Sequence, residues 1–279
     1  MDFLPRLEIG NWIEAFIDWL QNAGWLFDGI YTAIEGLFDG IYWLVALPPS
    51  WLFIIIIGAL TYLLNRGKWG LLLFVVIGLV FIDSLGFWTE MLDTLAIVLA
   101  AGIISMVIGV PFGIWMAKSN RIEAVVKPIL DFMQTMPAFV YLIPAVAFFG
   151  VGMVPGIVAS VIFAMPPTVR MTNLGIRQVS TELIEAADAF GSTGAQKLFK
   201  VQLPMARGTM MAGINQTIML ALSMVVIAAM IGATGIGRSV YRAVGQNDIA
   251  AGFEAGIAIV VLAIILDRLT QSFSTKKEG

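Results

Sequence analysis

EAADAFGSTGAQKLFKVQLP, residues 185–204, is polar and alternately charged, and its pattern is helical. Strongly apolar segments flank it on both sides. A hydrophilic insert of this kind between apolar segments faces water. Its pieces read as helix, turn and helix. Ser180 or Thr181 can cap the start, and Glu182 and Glu185 sit favourably in the first turns. Ala186 and Ala187 are small enough for another surface to approach the backbone. Gly191 ends the first helix and lets the chain turn. Leu198, Phe199 and Val201 are expected to present apolar surface, and Leu203 precedes Pro204, which is expected to stop the second piece before the next apolar run.

Outward from this segment the chain is apolar nearly throughout. Of 279 residues, 59% are hydrophobic and 13% charged, with a mean hydropathy of +0.91. A soluble domain carries about a quarter charged residues. Several runs approach the ~20 residues that cross a bilayer as helix. They lack the alternation of barrel strands. The chain reads as an all-α polytopic membrane protein, with seven spans near 48–64, 69–85, 92–117, 129–149, 154–172, 209–231 and 252–269. There is no Cys for disulfide or thiol chemistry, and no His, the commonest metal ligand; no metal site is expected.

The Lys and Arg residues orient these spans. Arg66, Lys68, Lys118, Arg121, Lys127, Arg170, Arg177, Lys197, Lys200, Arg207, Arg268, Lys276 and Lys277 fall on one side, and Arg6, Arg238 and Arg242 on the other. The positive-inside rule then places the 185–204 segment and the C-terminus in the cytoplasm and the N-terminus outside.

Residues 1–47 form a separate segment ahead of the permeation domain proper, 48–279. No basic region followed by an apolar run marks a cleavable signal. Polar residues recur at Glu14, Asp18, Gln21, Asp28, Thr32, Glu35 and Asp39, in steps of three and four, with Trp25 breaking the series. FDGIY occurs at 27–31 and again at 38–42, eleven residues or three helical turns apart. The segment is expected as one amphipathic helix in the outer interface. It serves either as a membrane anchor or as a lateral brace or landing surface for an external partner.

The Glu-Ala-Ala of 185–187, Gly191 and Val201-x-Leu203-Pro204 match the EAA loop of ABC-transporter permeases, the part that docks on the ATP-hydrolysing subunit. The resemblance extends through LDFMQTMPAFVYLIPAVAFFG (130–150), FAMPPTVRMTNLGI (163–176) and INQTIMLALSMVVIAAMIGATGIG (214–237), which look like the glycine betaine/proline betaine permeases. It runs from about Trp69 onward, and the N-terminal helix is similar to that of the Gram-positive branch. The resemblance implies a type I importer fold in the bacterial plasma membrane. It implies pairing of two copies with two ATPase subunits and an extracellular solute-binding protein, and transport of glycine betaine or a related osmoprotectant. Related permeases for choline, carnitine or an amino acid such as methionine keep much of the same loop. No partner is expected to be nucleic acid.

No Walker A sequence occurs, so ATP and Mg are expected on the partner subunit, the chain itself carries no cofactor, and no catalytic residue is expected. The Gly-rich stretch at 232–237 lacks the Lys of such a cradle and reads as a turn.

Prolines 137, 144, 166 and 167 are expected to break helices in mid-membrane, as helices do along transport pathways. Met136, Pro137 and Phe139, with Met165 and Pro166, are candidates for a gate, since Met repacks readily between two states. Gln134, Thr135, Asn215, Gln216 and Ser223 are polar groups in apolar spans, either bonded between helices or lining a path. Phe139, Tyr141, Phe148 and Phe149 either pack or offer faces to a quaternary ammonium. Asp131 follows Lys127 by four residues and is expected to pair with it.

Overall fold

The computed structural model describes residues 8–65 and 69–275. Arg6, Arg66, Lys68, Lys276 and Lys277 lie outside the described residues. Every regular element is helical: α1 (Ile9–Gln21), α2 (Gly24–Ala46), α3 (Ser50–Leu64), α4 (Trp69–Ser84), α5 (Trp88–Lys118), α6 (Asn120–Thr135), α7 (Leu142–Phe149), α8 (Met153–Arg177), α9 (Thr181–Ala189), α10 (Gly194–Lys197), α11 (Leu203–Ala228), α12 (Ile236–Gln246) and α13 (Ile249–Thr275). A 3₁₀ turn, Ala138–Tyr141, leads into α7, a π turn, Leu198–Gln202, leads into α11, and a second 3₁₀ turn, Ala229–Ile231, ends it.

Among the described residues, four stretches are long and apolar enough to cross a membrane: Trp88–Lys118, Met153–Arg177, Gly194–Ile231 and Ile249–Ser272. Two further pairs qualify only together and are sharply bent. Gly24–Ala46 meets Ser50–Leu64 at 94°, and Asn120–Thr135 meets Ala138–Phe149 at 109°. Trp69–Ser84 is apolar but short.

Three expectations change here. The N-terminal segment is two helices rather than one. It breaks at Asn22 and Ala23, ahead of the weak helix former Gly24 and beside the Trp25 that interrupts the polar series. The run at 129–149 is not a straight span. Met136 and Pro137 are both extended (ψ 135°), because a residue before proline is pushed out of the helical region. By contrast, Pro144 sits near the start of α7, and Pro166 and Pro167 lie inside an unbroken α8. α11 packs closely at this level: the Thr217 hydroxyl donates to the Ala164 carbonyl at 2.8 Å, and Thr168 lies 2.8 Å from Thr217.

The core is the trio α5, α8 and α11, and small residues set its spacing. Hydrocarbon solvates an exposed Leu as well as a neighbouring helix does, so membrane helices associate through close van der Waals contact. A Cβ placed on Gly113 of α5 would lie 2.5 Å from Thr172 Cβ and 2.7 Å from the Val169 carbonyl of α8. On Gly213 of α11 it would lie 2.5 Å from Met171 Cβ and 2.9 Å from the Pro167 carbonyl. Gly213→Ala is therefore expected to lower the thermal midpoint of the detergent-purified protein, by overpacking worth about 1–3 kcal/mol. Gly208→Ala, on the same helix with nothing within 4 Å, should leave the midpoint unchanged or raise it. Equal midpoints for the two variants would contradict this account of the spacing.

At the basic end of the trio, Arg177 binds α8 to its neighbours. Its guanidinium donates to Asn173 Oδ1 (3.0 Å), Asn120 Oδ1 (2.9 Å) and the Met116 carbonyl (3.1 Å), and pairs with Glu123 at 3.0 Å. Asn173 also donates to Glu123 at 3.1 Å. Asp131 pairs with Arg170 of α8 rather than with Lys127, because α6 lies against α8 and the cross-helix cation is nearer than one on its own helix. These two ion pairs hold the amphipathic α6 along the end of α8.

The N-terminal helices grip the far side of the break at Pro137. The Gln21 side-chain amide donates to the Ala147 carbonyl at 2.9 Å. Phe27 stacks on Phe148 with centroids 4.6 Å apart and meets Phe149 edge-on at 5.8 Å. α7 is thus held from the periphery by α1 and α2.

Candidate functional site

Segment 180–204 folds as helix, turn and helix. Ser180 occupies the N-cap of α9, although its side chain makes no capping bond there. The other end is a complete Schellman motif: Gly191 N–H donates to Asp188 O at 2.9 Å and Ser192 N–H to Ala187 O at 3.0 Å. Gly191 carries φ +72°, a conformation that costs a β-branched residue heavily. The next piece opens with a capping box: Thr193 Oγ1 accepts from Gln196 N–H at 3.3 Å, and Gln196 Oε1 from Thr193 N–H at 2.8 Å. Lys197 Nζ reaches both carboxylate oxygens of Asp188, at 2.6 and 2.8 Å, and links the two pieces. The pair is largely exposed and worth about 0–1 kcal/mol, so the glycine turn is the stronger constraint.

Two expectations fail in this segment. Pro204 does not stop the second piece. Gly194–Ile231 runs as one helix, with Pro204 in the first turn of α11. The π turn just before it changes the hydrogen-bond register, so a residue lacking an N–H is accommodated. Leu198 is not surface. It is buried with Ile176 and Ala206 and anchors the segment to α8 and α11. Val201 and Leu203 are half-buried.

What remains exposed is a compact face. Glu185, Ala186, Gly191 and Pro204 are exposed and Ala187 is half-buried. Phe190 is 90% exposed and Phe199 66% exposed, with Leu183 nearby in sequence at 42%. No residue of α9 is buried. A nine-residue helix without a buried face has little stability of its own. Phe190 at its C-cap and Phe199 in the π turn leave aromatic surface uncovered beside it. The sequence pattern does not single out Phe190, because nothing local distinguishes an exposed aromatic from a packed one.

The candidate gate residues separate. Met136 packs with Tyr141, Leu142 and Met224, near Phe163 and Ile227. Met165 packs with Met116, Leu130 and Val169. Pro166 is buried, whereas Pro137 and Phe139 are exposed at the break. The Tyr141 hydroxyl donates to the Met133 carbonyl across that break. Gln134 and Thr135 are exposed beside it, with Thr135 bonded to the Phe132 carbonyl. Gln216 and Ser223 are exposed on α11. Asn215 joins helices instead: it donates to Asp267 at 2.8 Å and accepts from Thr270. Residues 232–235 form a turn, with Gly232 and Gly235 at φ +90° and +103°, and Ile236 and Gly237 open α12, with Ile236 N–H on the Thr94 hydroxyl at 2.9 Å.

Residues 109–278, which hold the whole helix–turn–helix, α8, α11 and the end of α5, match the model for the binding-protein-dependent transport system inner membrane component. The chain belongs to that family. It is a multi-pass membrane subunit of a transport system, not an enzyme, with the type I permease fold. A glycine betaine/carnitine transport permease protein of Listeria monocytogenes is 64% identical over 100% of both chains. A glycine betaine transport system permease protein of Bacillus subtilis is 56% identical over 100% of this chain and 99% of that one. A glycine betaine/proline betaine transport system permease protein of Escherichia coli is 44% identical over 95% of this chain and 75% of that one. Among solved structures, an inward-facing form of the MetNI methionine ABC transporter aligns with TM-score 0.63 at 22% identity, over 67% of this permease and 94% of that chain.

Proposed function

We propose that this chain forms the translocation path of an ATP-driven importer for glycine betaine and chemically related osmoprotectants. The observation that carries the mechanism is α9: a helix with no buried residue, set by a Schellman turn and displaying Phe190. A cytoplasmic ATPase subunit covers that face, one on each of two copies of this chain. ATP and its magnesium ion are held by those subunits. An extracellular binding protein delivers solute to the other side. Orientation follows the positive-inside rule, with α9 and the C-terminus cytoplasmic and the N-terminus outside. The solute assignment is supported by the three relatives above, each named for glycine betaine. Carnitine is a second solute, supported by the name of the Listeria protein.

Reconstitution with the ATPase and binding protein tests this reading. Labelled glycine betaine should enter liposomes only with ATP on the ATPase side. Unlabelled carnitine should compete, and choline and methionine should compete less. Uptake without ATP, or methionine as the preferred competitor, would sink the assignment.

The path runs along the break at Pro137, with Phe139 exposed and Met136 packed behind it, while Met165 and Pro166 belong to the wall formed by α8. Met136→Trp is expected to cut uptake about tenfold, the effect of a 1–2 kcal/mol overpacking, with the complex still assembled. Met136→Ala should raise ATP hydrolysis in the absence of binding protein. Wild-type uptake and hydrolysis in both variants would make Met136 ordinary packing.

A further inference from the structure

The hairpin of α12 and α13 carries an apolar cleft of about 670 Å³ that no segment of the chain fills. Asn247, in the left-handed conformation (φ +54°), and Asp248 make the turn; Asp248 N–H donates to the Ala243 carbonyl at 2.9 Å and its carboxylate accepts from Ala251 N–H at 3.1 Å. Val240 and Val244 line one wall, and Phe253, Ile257 and Val260 the other. A Cβ placed on Gly256, at the floor, would meet nothing within 4 Å. α13 is the least enclosed of the four long spans, with 28% of its apolar window buried against 44–67% for the others. Val244 is 74% exposed and Phe253 70%.

Charge separates this face from one that meets lipid. Glu254 is exposed on α13, next to Phe253, and Arg238 and Arg242 are exposed on α12. Among the described residues none of the three makes an ion pair within the chain. A lone carboxylate facing hydrocarbon is unfavourable, so Glu254 needs water or a cation. Gly252 lies against Ala243, 3.6 Å from a Cβ placed on it. That register sets Arg242 and Glu254 at nearly the same level of the hairpin. A two-fold axis along the membrane normal preserves level between copies. Glu254 of one copy then stands opposite Arg242 of the other, and the reverse contact is made at the same time. The cleft walls are apolar side chains apart from Asn247 and Asp248 at the mouth. Permanent homodimer interfaces are of this kind, whereas surfaces that meet a soluble partner transiently are more polar.

We infer that the α12–α13 hairpin is the surface through which two copies of this chain pair, with its cleft filled by the second copy and Glu254 matched to that copy's Arg242. This rests on the pairing proposed above and says which face makes it. The chain has no Cys, so single cysteines report without background. In the full complex in native membranes, oxidised Phe253→Cys should give a permease dimer band, and Val107→Cys, 68% exposed on α5, should give none. Glu254→Arg and Arg242→Glu should each reduce the two-copy fraction by native mass spectrometry at least fivefold. The double variant should restore it. Two copies in the wild type, but no Phe253→Cys dimer and no rescue by the double variant, would overturn this face and leave the pairing intact; the cleft would then hold lipid or the external protein. A single copy in the wild-type complex would overturn the pairing itself.

Discussion

Gly191→Val is expected to cut solute uptake at least tenfold while the permease remains inserted in the membrane. Gly191 is held at φ +72° by two backbone hydrogen bonds that close the end of α9. A β-branched residue there costs about 1–3 kcal/mol and tips the turn toward another geometry. The strain falls at the junction of the two helical pieces, where Phe190 is presented. Gly191→Asn should retain most activity, because Asn tolerates the left-handed region. Ala186→Arg acts on the same surface without touching the turn. It places a long cation on an exposed small-residue face and is expected to lower uptake about a hundredfold, the scale of losing an interface hot spot. Binding-protein-stimulated ATP hydrolysis should fall in parallel. Normal uptake in both Gly191→Val and Ala186→Arg would remove this segment from the coupling role.

The second large effect is all-or-none labelling. Ala195→Cys lies on the exposed helix–turn–helix, and Gln246→Cys is exposed at the end of α12. Gln246 is preferable to Asn247, whose φ of +54° a Cys would strain. A membrane-impermeant maleimide applied to intact cells should label Gln246→Cys fully and Ala195→Cys only after permeabilisation. The reverse pattern would invert the topology and place the α9 face outside, beyond the reach of ATP.

Local chemistry was legible in the sequence wherever one residue decides the backbone. Gly191 closes a short helical run, and the turn is where that reading places it. Proline was legible only in part. Pro137 breaks its run because it pushes the residue before it out of the helical region, so α6 ends at Thr135 with Met136 extended. Pro166 and Pro167 do not break theirs, and there α11 packs against α8 through Gly213 and bonds it through Thr217. That contact comes from a residue 50 positions after Pro167, and no local pattern announces it. The same holds for Asp131, whose partner Arg170 is 39 residues away, and for the network at Arg177. In the 180–204 segment, Leu198 and Phe199 are adjacent apolar residues with opposite fates, one buried and one exposed. Only the packing of the π turn against α8 and α11 assigns them.

The unbroken course from Gly194 to Ile231 makes the second helical piece and the α11 span a single arm. Its 38 residues extend about 57 Å at 1.5 Å per residue. An angular displacement of roughly 5° at the basic end therefore carries the other end through about 5 Å, nearly one helical pitch. That end is fastened: Gly152 N–H, at the start of α8, donates to the Ile231 carbonyl at 2.8 Å. Under the coupling proposed above, a stroke delivered beside Phe199 would reach the junction between α7 and α8 by leverage, along one continuous helix.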